Sequence, residues 1–192
     1  MKISVVSSSL DARSRSRVLA DMCRIALEDK GHSVDFIDLR QLDPPNFDDD
    51  EIYSSEVYQS CHKMITAADS VILASPVYNW ACCAELKKFV EYMGSTPPGG
   101  SLRGAFYDKV VMFVNSASYP HSYMAFASLA TSLMLDFKCI VSPYNVYAHG
   151  DNWGEGGELD DATTARLDKS LSVLIELAER LKSRSYVSNW EI

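Results

Sequence analysis

Short apolar runs alternate with longer amphipathic stretches along the chain. Residues 3–7 and 70–74 are apolar enough to form strands that are buried on both faces of a sheet. Residues 15–30 carry apolar side chains at spacings of three and four, which is the period of a helix. The full pattern predicts strands at 3–7, 34–39, 70–74, 109–114 and 138–141 with 146–147, and helices at 15–30, 51–67, 82–93, 123–135 and 160–184.

This alternation predicts a parallel sheet with helices on both faces, because each crossover is right-handed and long enough to hold a helix. The length of 192 residues fits one domain, residues 1–192. In open sheets of this kind, ligands bind beyond the carboxyl ends of the strands, where the strand order reverses. The loops after the first, third and fourth strands are therefore the candidate binding loops.

The composition limits the classes of molecule that the protein can be expected to bind. A net charge of −8 argues against nucleic acid, because phosphate backbones are bound by basic surfaces. The apolar runs fall short of the ~20 residues that span a bilayer, and the chain enters its first strand without a leader pattern, so we expect a cytoplasmic protein that does not insert into membranes. Five scattered cysteines predict reduced thiols rather than disulfides or a zinc site.

The loop after the first strand is rich in hydroxyls and guanidiniums. Residues 7–17 contain five serines and three arginines and lead into a helix, whose free N–H groups and positive dipole end attract anions. The alternative is that a serine only caps the helix and that the arginines are solvated. The loop matches neither G-x-G-x-x-G nor the Walker pattern. The candidate phosphate donors are Ser9, Ser14, Ser16 and Arg13, with Arg15 as an alternative cation.

Two of these loops resemble signatures of the NADPH-dependent FMN reductase family. Residues 75–92 resemble S-P-x-Y-N-x-S-x-P-x-x-L-K-N-x-I-D-W, and Ser9-Leu10 with Ser14, Ser16 and Arg17 matches G-S-L-R-x-x-S-x-N-R. The order of elements agrees with that family over most of the chain. The resemblance implies a flavodoxin-like three-layer sandwich, with a five-stranded parallel sheet in the order 2-1-3-4-5, that uses FMN together with NADPH or NADH.

By this resemblance, the serines of the first loop surround the FMN phosphate and the loop after the third strand lines the isoalloxazine ring. The Ser-Pro pair keeps the strand exit extended, so that backbone N–H groups can point at the polar edge of the ring. Tyr78 and Trp80 would shield one face of the ring; ordinary packing in the core or at a subunit interface is the alternative. The implied ring-lining residues are Pro76, Val77, Tyr78, Asn79 and Trp80.

The chain departs from the family pattern in three places. Residues 115–123 lack the glycines of the family's S-x-G-x-x-G-G loop, which predicts a narrower or reshaped pocket lined by Ser118, Tyr119 and His121, the last a candidate proton donor or a simple surface histidine. Asp11 replaces an arginine, and we expect it to point outward or cap the helix. Cys82 and Cys83 precede a helix, where the pKa of a thiol can fall; packing of small residues is the alternative.

The pattern favours an FMN-dependent oxidoreductase. NAD(P)H would reduce the bound flavin, which would then reduce a small acceptor such as free flavin, a quinone, an azo compound or a metal oxyanion, without a catalytic side chain. The alternatives are a flavodoxin-type electron carrier and an FMN-binding module without turnover. The resemblance also implies a homodimer or homotetramer, for which Trp80, Tyr92 and residues 106–123 offer apolar contacts. Residues 148–161 are predicted to form a mobile loop, with the alternative that this loop borders the active site because it follows the last strand.

Overall fold

The computed structural model describes residues 1–48, 50–100 and 103–185, so residues 49, 101–102 and 186–192 of the predicted domain lie outside the described chain. The strands are β1 Lys2–Ser7, β2 Ser33–Asp38, β3 Ser70–Tyr78, β4 Ala81–Cys82, β5 Val110–Ser116, β6 Ile140–Val141 and β7 Val146–Ala148. The helices are α1 Arg15–Asp29, α2 Leu39–Leu42, α3 Glu56–Ala67, α4 Ala84–Gly94, α5 Ala127–Phe137 and α6 Asp161–Leu181, with 3₁₀ turns at Glu51–Ser54 and Gly150–Asn152.

The parallel sheet has the order β2-β1-β3-β5-β6, and β7 also pairs with β5. The predicted order 2-1-3-4-5 is confirmed, with β5 as the fourth strand and with β6 and β7 together as the fifth. The fifth strand is split because Pro143 has no N–H to donate to the ladder. In the gap, the side chain of Asn145 accepts the hydrogen bond from the Phe113 N–H at 2.8 Å.

Helices cover both faces of the sheet. The side chains of β3 alternate between the two cores, with Val71 and Leu73 on one side and Ile72 and Ala74 on the other, all fully buried. The first core packs against α3, α4 and α5, and the second packs against α1 and α6. This two-sided burial explains why residues 70–74 are continuously apolar rather than alternating.

Helix starts differ most from the prediction. The predicted helix 51–67 begins as a 3₁₀ turn, and α3 starts only after Ser55, whose hydroxyl accepts from the Tyr58 N–H at 3.3 Å. The predicted helix 82–93 starts at Ala84, because the chain first forms β4. The predicted helix 123–135 starts at Ala127 and runs to Phe137. The sequence pattern therefore predicted the order of the elements, but the loops before these helices include residues that had been predicted to be helical.

Two aromatic positions expected at a subunit interface lie in the core instead. Tyr92 and Phe106 are 1% and 0% exposed. Tyr92 makes an edge contact with Tyr58 at 5.6 Å between ring centroids, and Phe106 makes one with Phe89 at 6.2 Å. Both residues face the core between α3, α4 and the sheet, so neither is available to a partner subunit.

The longest helix, α6, closes the fold. It covers Asp161–Leu181 rather than the predicted 160–184, and Asp160 caps it by accepting from the Thr163 N–H at 2.6 Å. One side of α6 is buried through Leu167, Leu171 and Leu174, and its other side is charged. In the described ranges, none of the helices is both long and apolar enough to cross a membrane.

Candidate functional site

Two adjoining clefts lie at the carboxyl edge of the sheet, beyond the ends of β1, β3 and β5. The first cleft has a volume of about 250 Å³ and is lined by the start of α1, the end of β3 and the loop after β5. The second has a volume of about 380 Å³ and is lined by the turn between β3 and β4 and by residues 117–122. Both clefts include Val77, Ala117 and Ser118 in their walls, so an elongated ligand can occupy them together.

The structure brings every predicted site residue except Ser9 to these clefts. Ser9 is only 1% exposed, and its hydroxyl accepts from the Asp11 N–H at 3.2 Å. Ser9 therefore stabilises the loop from its buried side and does not line a cleft. The first cleft contains Arg13, Ser14, Ser16, Pro76, Val77, Tyr78 and Ser118, and the second contains Val77, Asn79, Trp80, Ser118, Tyr119 and His121. Ser122, one of the residues that replace the family glycines, also lines the second cleft, whereas Ser116 and Ala117 line the clefts without having been predicted.

The first cleft contains a set of hydrogen-bond donors at the start of α1. Ser14 is the N-cap residue, yet its hydroxyl bonds to the Ser16 hydroxyl at 2.8 Å instead of capping a first-turn N–H. Both hydroxyls are almost fully buried. Helix starts leave backbone N–H groups without intrahelical partners, and these groups with the two hydroxyls suit a phosphate. Arg17, at the end of the motif, instead pairs with buried Asp38.

The arginines of this loop have different surroundings. Arg13 is 94% exposed and lies 3.9 Å from Asp11, whose carboxylate also accepts from the Arg13 N–H at 2.9 Å. Asp11 is exposed, but it also lines the first cleft instead of pointing away from it or capping the helix, and it lies beside Arg13 there. Arg15 instead stacks on the Trp153 indole, with 5.5 Å between its guanidinium carbon and the ring centroid. Packing therefore orients Arg15 rather than Arg13 at the first cleft.

Residues 148–160, nearly all of the predicted loop 148–161, form a segment that we call the Trp153 excursion, which contacts Arg15 and Ser118 in the wall of the first cleft. Trp153 pairs with Leu159 across an antiparallel bridge, and Trp153 is only 8% exposed. The Gly150 N–H donates to the Ser118 carbonyl at 3.1 Å. A Cβ at Gly150 would lie 2.8 Å from that same carbonyl oxygen, so a side chain there would displace the loop. The Trp153 excursion thus supports Ser118, which both clefts share.

The turn that carries the predicted ring-lining residues is a tight hairpin. Beyond Pro76, β3 pairs antiparallel with β4, and Tyr78 faces Ala81 across the turn. The two central residues are left-handed, with φ of 50° at Asn79 and 66° at Trp80. Asparagine tolerates this conformation, whereas an aromatic residue there costs about 1–2 kcal/mol. The hairpin nevertheless places Trp80 in solvent, 70% exposed, beside the second cleft.

A buried polar network holds this hairpin to the sheet. The Ser75 hydroxyl accepts from the Cys83 N–H at 3.0 Å, and the Asn115 amide donates to the Ser75 carbonyl at 3.3 Å. The Cys83 thiol lies 3.1 Å from the Ser8 hydroxyl, so the ends of β1, β3 and β5 are connected. Burial raises the pKa of the Cys82 thiol despite hydrogen bonds from Asn115 and Ser75. The raised pKa agrees with the packing alternative for Cys82 and not with a thiol whose pKa is lowered at a helix start.

The glycine-poor loop after β5 leaves room at the second cleft. Tyr119 is 74% exposed, and His121 also lies at the surface. The hydroxyl of Tyr147 lies 3.0 Å from the Ser122 hydroxyl and donates to the Tyr119 carbonyl, which fixes the loop. The residues that replace the family glycines, Tyr119, His121 and Ser122, thus line one wall of a cleft of about 380 Å³.

Comparisons with known proteins identify the family. The model of the NADPH-dependent FMN reductase family matches residues 1–153, so the chain belongs to that family and the resemblance is confirmed. An NAD(P)H-dependent FAD/FMN reductase of Geobacillus thermodenitrificans (strain NG80-2) is 26% identical over 136 residues, covering 70% of this chain and 64% of the relative. The chain thus matches slightly less than two thirds of that relative.

Solved structures confirm the flavodoxin-like fold. The flavoenzyme NAD(P)H:(acceptor) oxidoreductase FerB from Paracoccus denitrificans aligns with a TM-score of 0.75 at 18% identity, covering 93% of this chain and 97% of FerB. An oxidoreductase from Corynebacterium diphtheriae aligns with a TM-score of 0.73, also at 18% identity and with the same coverage of the two chains. At these identities the alignments define the architecture.

Proposed function

We propose that this protein is an FMN-dependent oxidoreductase, in which NAD(P)H reduces bound FMN and the flavin passes the electrons to a small acceptor. Free flavin, a quinone, an azo compound or a metal oxyanion is a suitable acceptor class. The observation that carries the proposal is the pair of adjoining clefts, one lined by buried hydroxyls at a helix start and the other by aromatic residues. When bound, FMN supplies the hydride and electron chemistry.

In this proposal, the first cleft holds the phosphate. The hydroxyls of Ser14 and Ser16 and the free N–H groups of the first turn of α1 donate to its oxygens. Arg15 supplies a charge-assisted hydrogen bond, because stacking on Trp153 already orients its guanidinium. Arg15 takes the place of the family arginine that Asp11 replaces, whereas Arg13 is paired with Asp11.

The second cleft holds the ring. The backbone around Pro76 and Val77 faces the polar edge of the ring, and Tyr78 and Trp80 shelter one of its faces. Tyr119 and His121 lie on the other side of the cleft, where the volume beside them admits a second planar ring such as nicotinamide. This open side favours a reductase over an FMN-binding module without turnover.

Flavin titration followed by anaerobic reduction tests this function. We expect FMN fluorescence to be quenched on mixing with apoprotein, and NADPH or NADH to bleach the absorbance of the bound flavin. Flavin that is bleached by dithionite but by neither nucleotide would contradict the reductase and favour a flavodoxin-type carrier or a non-catalytic module. A chain that fails to bind FMN would remove all three functions.

We also propose a homodimer or homotetramer in the cytoplasm. Trp80, Tyr119, Met134 and Leu135 are each at least half exposed, and large exposed apolar side chains favour contact with a second copy. All five cysteines are free thiols, which suits a reducing compartment. Light scattering during size-exclusion chromatography tests the subunit number, and a monomer at micromolar concentration would contradict the assembly.

A further inference from the structure

A third cleft, with a volume of about 330 Å³, lies beside the two that form the proposed flavin site. We call it the Arg166 cleft. Its walls come from the loop before α5, from the segment around β7 and from α6. None of its residues belongs to the predicted flavin site. The lining residues are Tyr123, Met124, Phe126, Pro143, Asn145, Val146, Tyr147 and Arg166.

Only a narrow ridge separates the Arg166 cleft from the second cleft. Ser122 lines the second cleft, and the next residue, Tyr123, lines the Arg166 cleft. The ridge is formed by the Ser122 hydroxyl and the Tyr147 hydroxyl, which lie 3.0 Å apart, and Tyr147 also donates to the Tyr119 carbonyl. A ligand longer than one ring system can therefore lie across the ridge and occupy both clefts.

The Arg166 cleft combines apolar walls with one oriented guanidinium. Nε and Nη2 of Arg166 donate to the Asn145 carbonyl at 3.3 and 3.1 Å, and the guanidinium carbon lies 5.0 Å from the centroid of the Tyr144 ring. Arginine has five N–H donors, so these contacts fix the group and leave donors for an anion. Lys169 lies 5.4 Å from the same ring centroid. This places two cations together on a chain of net charge −8.

This chemistry fits a planar aromatic group that carries a phosphate. Apolar and aromatic walls accept a base, and a bidentate guanidinium is the preferred partner of a phosphate. Asn145 and Arg166 line the Arg166 cleft but not the second cleft, so their contact lies on the far side of the ridge from the second cleft. The part of the ligand that crosses the ridge is therefore the part that reaches the guanidinium.

We propose that the Arg166 cleft binds the adenosine end of the nicotinamide nucleotide, with its base on the apolar wall and its 2′-phosphate on Arg166. The inference rests on the proposed function, because the nucleotide reaches this cleft when its nicotinamide lies in the second cleft. The 2′-phosphate distinguishes NADPH from NADH, so this subsite makes NADPH the preferred reductant.

The test measures nucleotide binding and turnover in the FMN-loaded protein. Calorimetric titration with adenosine 2′,5′-bisphosphate reports the subsite without turnover. We expect Arg166→Ala to weaken this binding and to raise the KM for NADPH by about tenfold each, the scale of one charge-assisted hydrogen bond at a partly exposed site. The KM for NADH should change by less than about twofold, and the bisphosphate should compete with NADPH in the wild type.

Two further variants make the test robust. Arg180→Ala is the matched control, because Arg180 lies on the same helix, is 74% exposed and pairs with Glu176 at 2.7 Å, away from the cleft. It should leave both measurements unchanged. Tyr123→Asp places a carboxylate at an exposed position in the cleft wall, and should weaken bisphosphate binding without removing any contact of Arg166.

The outcomes separate this inference from the proposed function. If NADPH reduces the flavin and Arg166→Ala binds the bisphosphate as the wild type does, the subsite is wrong and the reductase stands. Equal loss of affinity for NADPH and NADH would likewise overturn the assignment of the 2′-phosphate. Failure of both nucleotides to reduce bound FMN in the wild type would contradict the reductase itself.

Discussion

The two ends of the candidate flavin site are built in different ways. At the phosphate end, Ser14 and Ser16 are 8% and 1% exposed and already bonded to each other. At the ring end, Tyr78, Trp80 and Tyr119 are 57%, 70% and 74% exposed. The first end is organised by the protein's own hydrogen bonds, whereas the second presents apolar surface that a ligand or another subunit has to cover. Changes at the phosphate end should therefore alter affinity, and changes at the ring end should alter stability and turnover.

The largest effect is expected from a charge placed at the phosphate end. Ser14→Asp keeps a residue type that helix N-caps favour, and Ser14 makes no side-chain cap hydrogen bond that could be lost, but the new carboxylate repels a phosphate. FMN affinity should fall on the order of 100-fold, while riboflavin, which has no phosphate, should bind as before. Fluorescence titration with the two flavins measures the ratio, and Ser14→Asn is the neutral control. Equal losses for both flavins would show that this cleft does not hold the phosphate.

The next largest effect is expected where the two ends meet. In Gly150→Ala, the new Cβ would lie 2.8 Å from the Ser118 carbonyl oxygen, a backbone atom that cannot move aside cheaply. We expect the free energy of unfolding to fall by about 1–3 kcal/mol and FMN binding to weaken. In the control Gly156→Ala, the Cβ meets the flexible end of Glu158 instead. Chemical denaturation compares the variants, and equal stability would argue against a tight contact at Gly150.

A smaller effect distinguishes the two arginines of the first loop. Arg15→Ala should weaken FMN binding by about tenfold, the scale of one charge-assisted hydrogen bond, because this guanidinium is oriented by Trp153. Arg13→Ala should change FMN affinity by less than about threefold, since Arg13 is 94% exposed and close to Asp11. FMN titrations of both variants show which arginine contributes more to FMN affinity. A larger loss in Arg13→Ala would reverse the assignment.

The smallest effect concerns the strained turn at the ring end. Trp80→Gly creates the Asn-Gly sequence that this type of hairpin turn prefers, and removes a side chain that buries little surface. The apoprotein should gain about 0.5–1 kcal/mol in the free energy of unfolding. Turnover should fall, because the ring loses its aromatic cover. Denaturation of the apoprotein measures the first effect, and a less stable variant would show that Trp80 is not strained.

The sheet was predictable because its strands are short apolar runs between turn signals, and burial on both faces leaves little ambiguity in residues 70–74. The hairpin strand β4 was not predictable. It has two residues, and Asn79-Trp80 lacks the glycine that marks a tight turn. The end of β3 had likewise been assigned to a loop. The local sequence pattern therefore predicted the strands whose side chains are buried in the core. It missed β4, which forms only because of a strained turn.

The three binding loops were predictable because each of them is one continuous stretch of the sequence. Residues 9–16, 76–80 and 118–121 converge because parallel strands end at one edge of the sheet. The choice between Arg13 and Arg15 was not predictable. It depends on Trp153, which lies far away in the sequence and contacts Arg15 from a segment that was predicted to be a mobile loop.

The central claim is that one flavin spans both clefts, with its phosphate at the start of α1. A crystal structure of the protein with FMN tests this most directly. We expect phosphate oxygens within hydrogen-bond distance of the Ser14 and Ser16 hydroxyls, and the ring between the Asn79-Trp80 turn and residues 117–122. A flavin bound elsewhere, or one whose phosphate faces solvent away from Ser14 and Ser16, would contradict it.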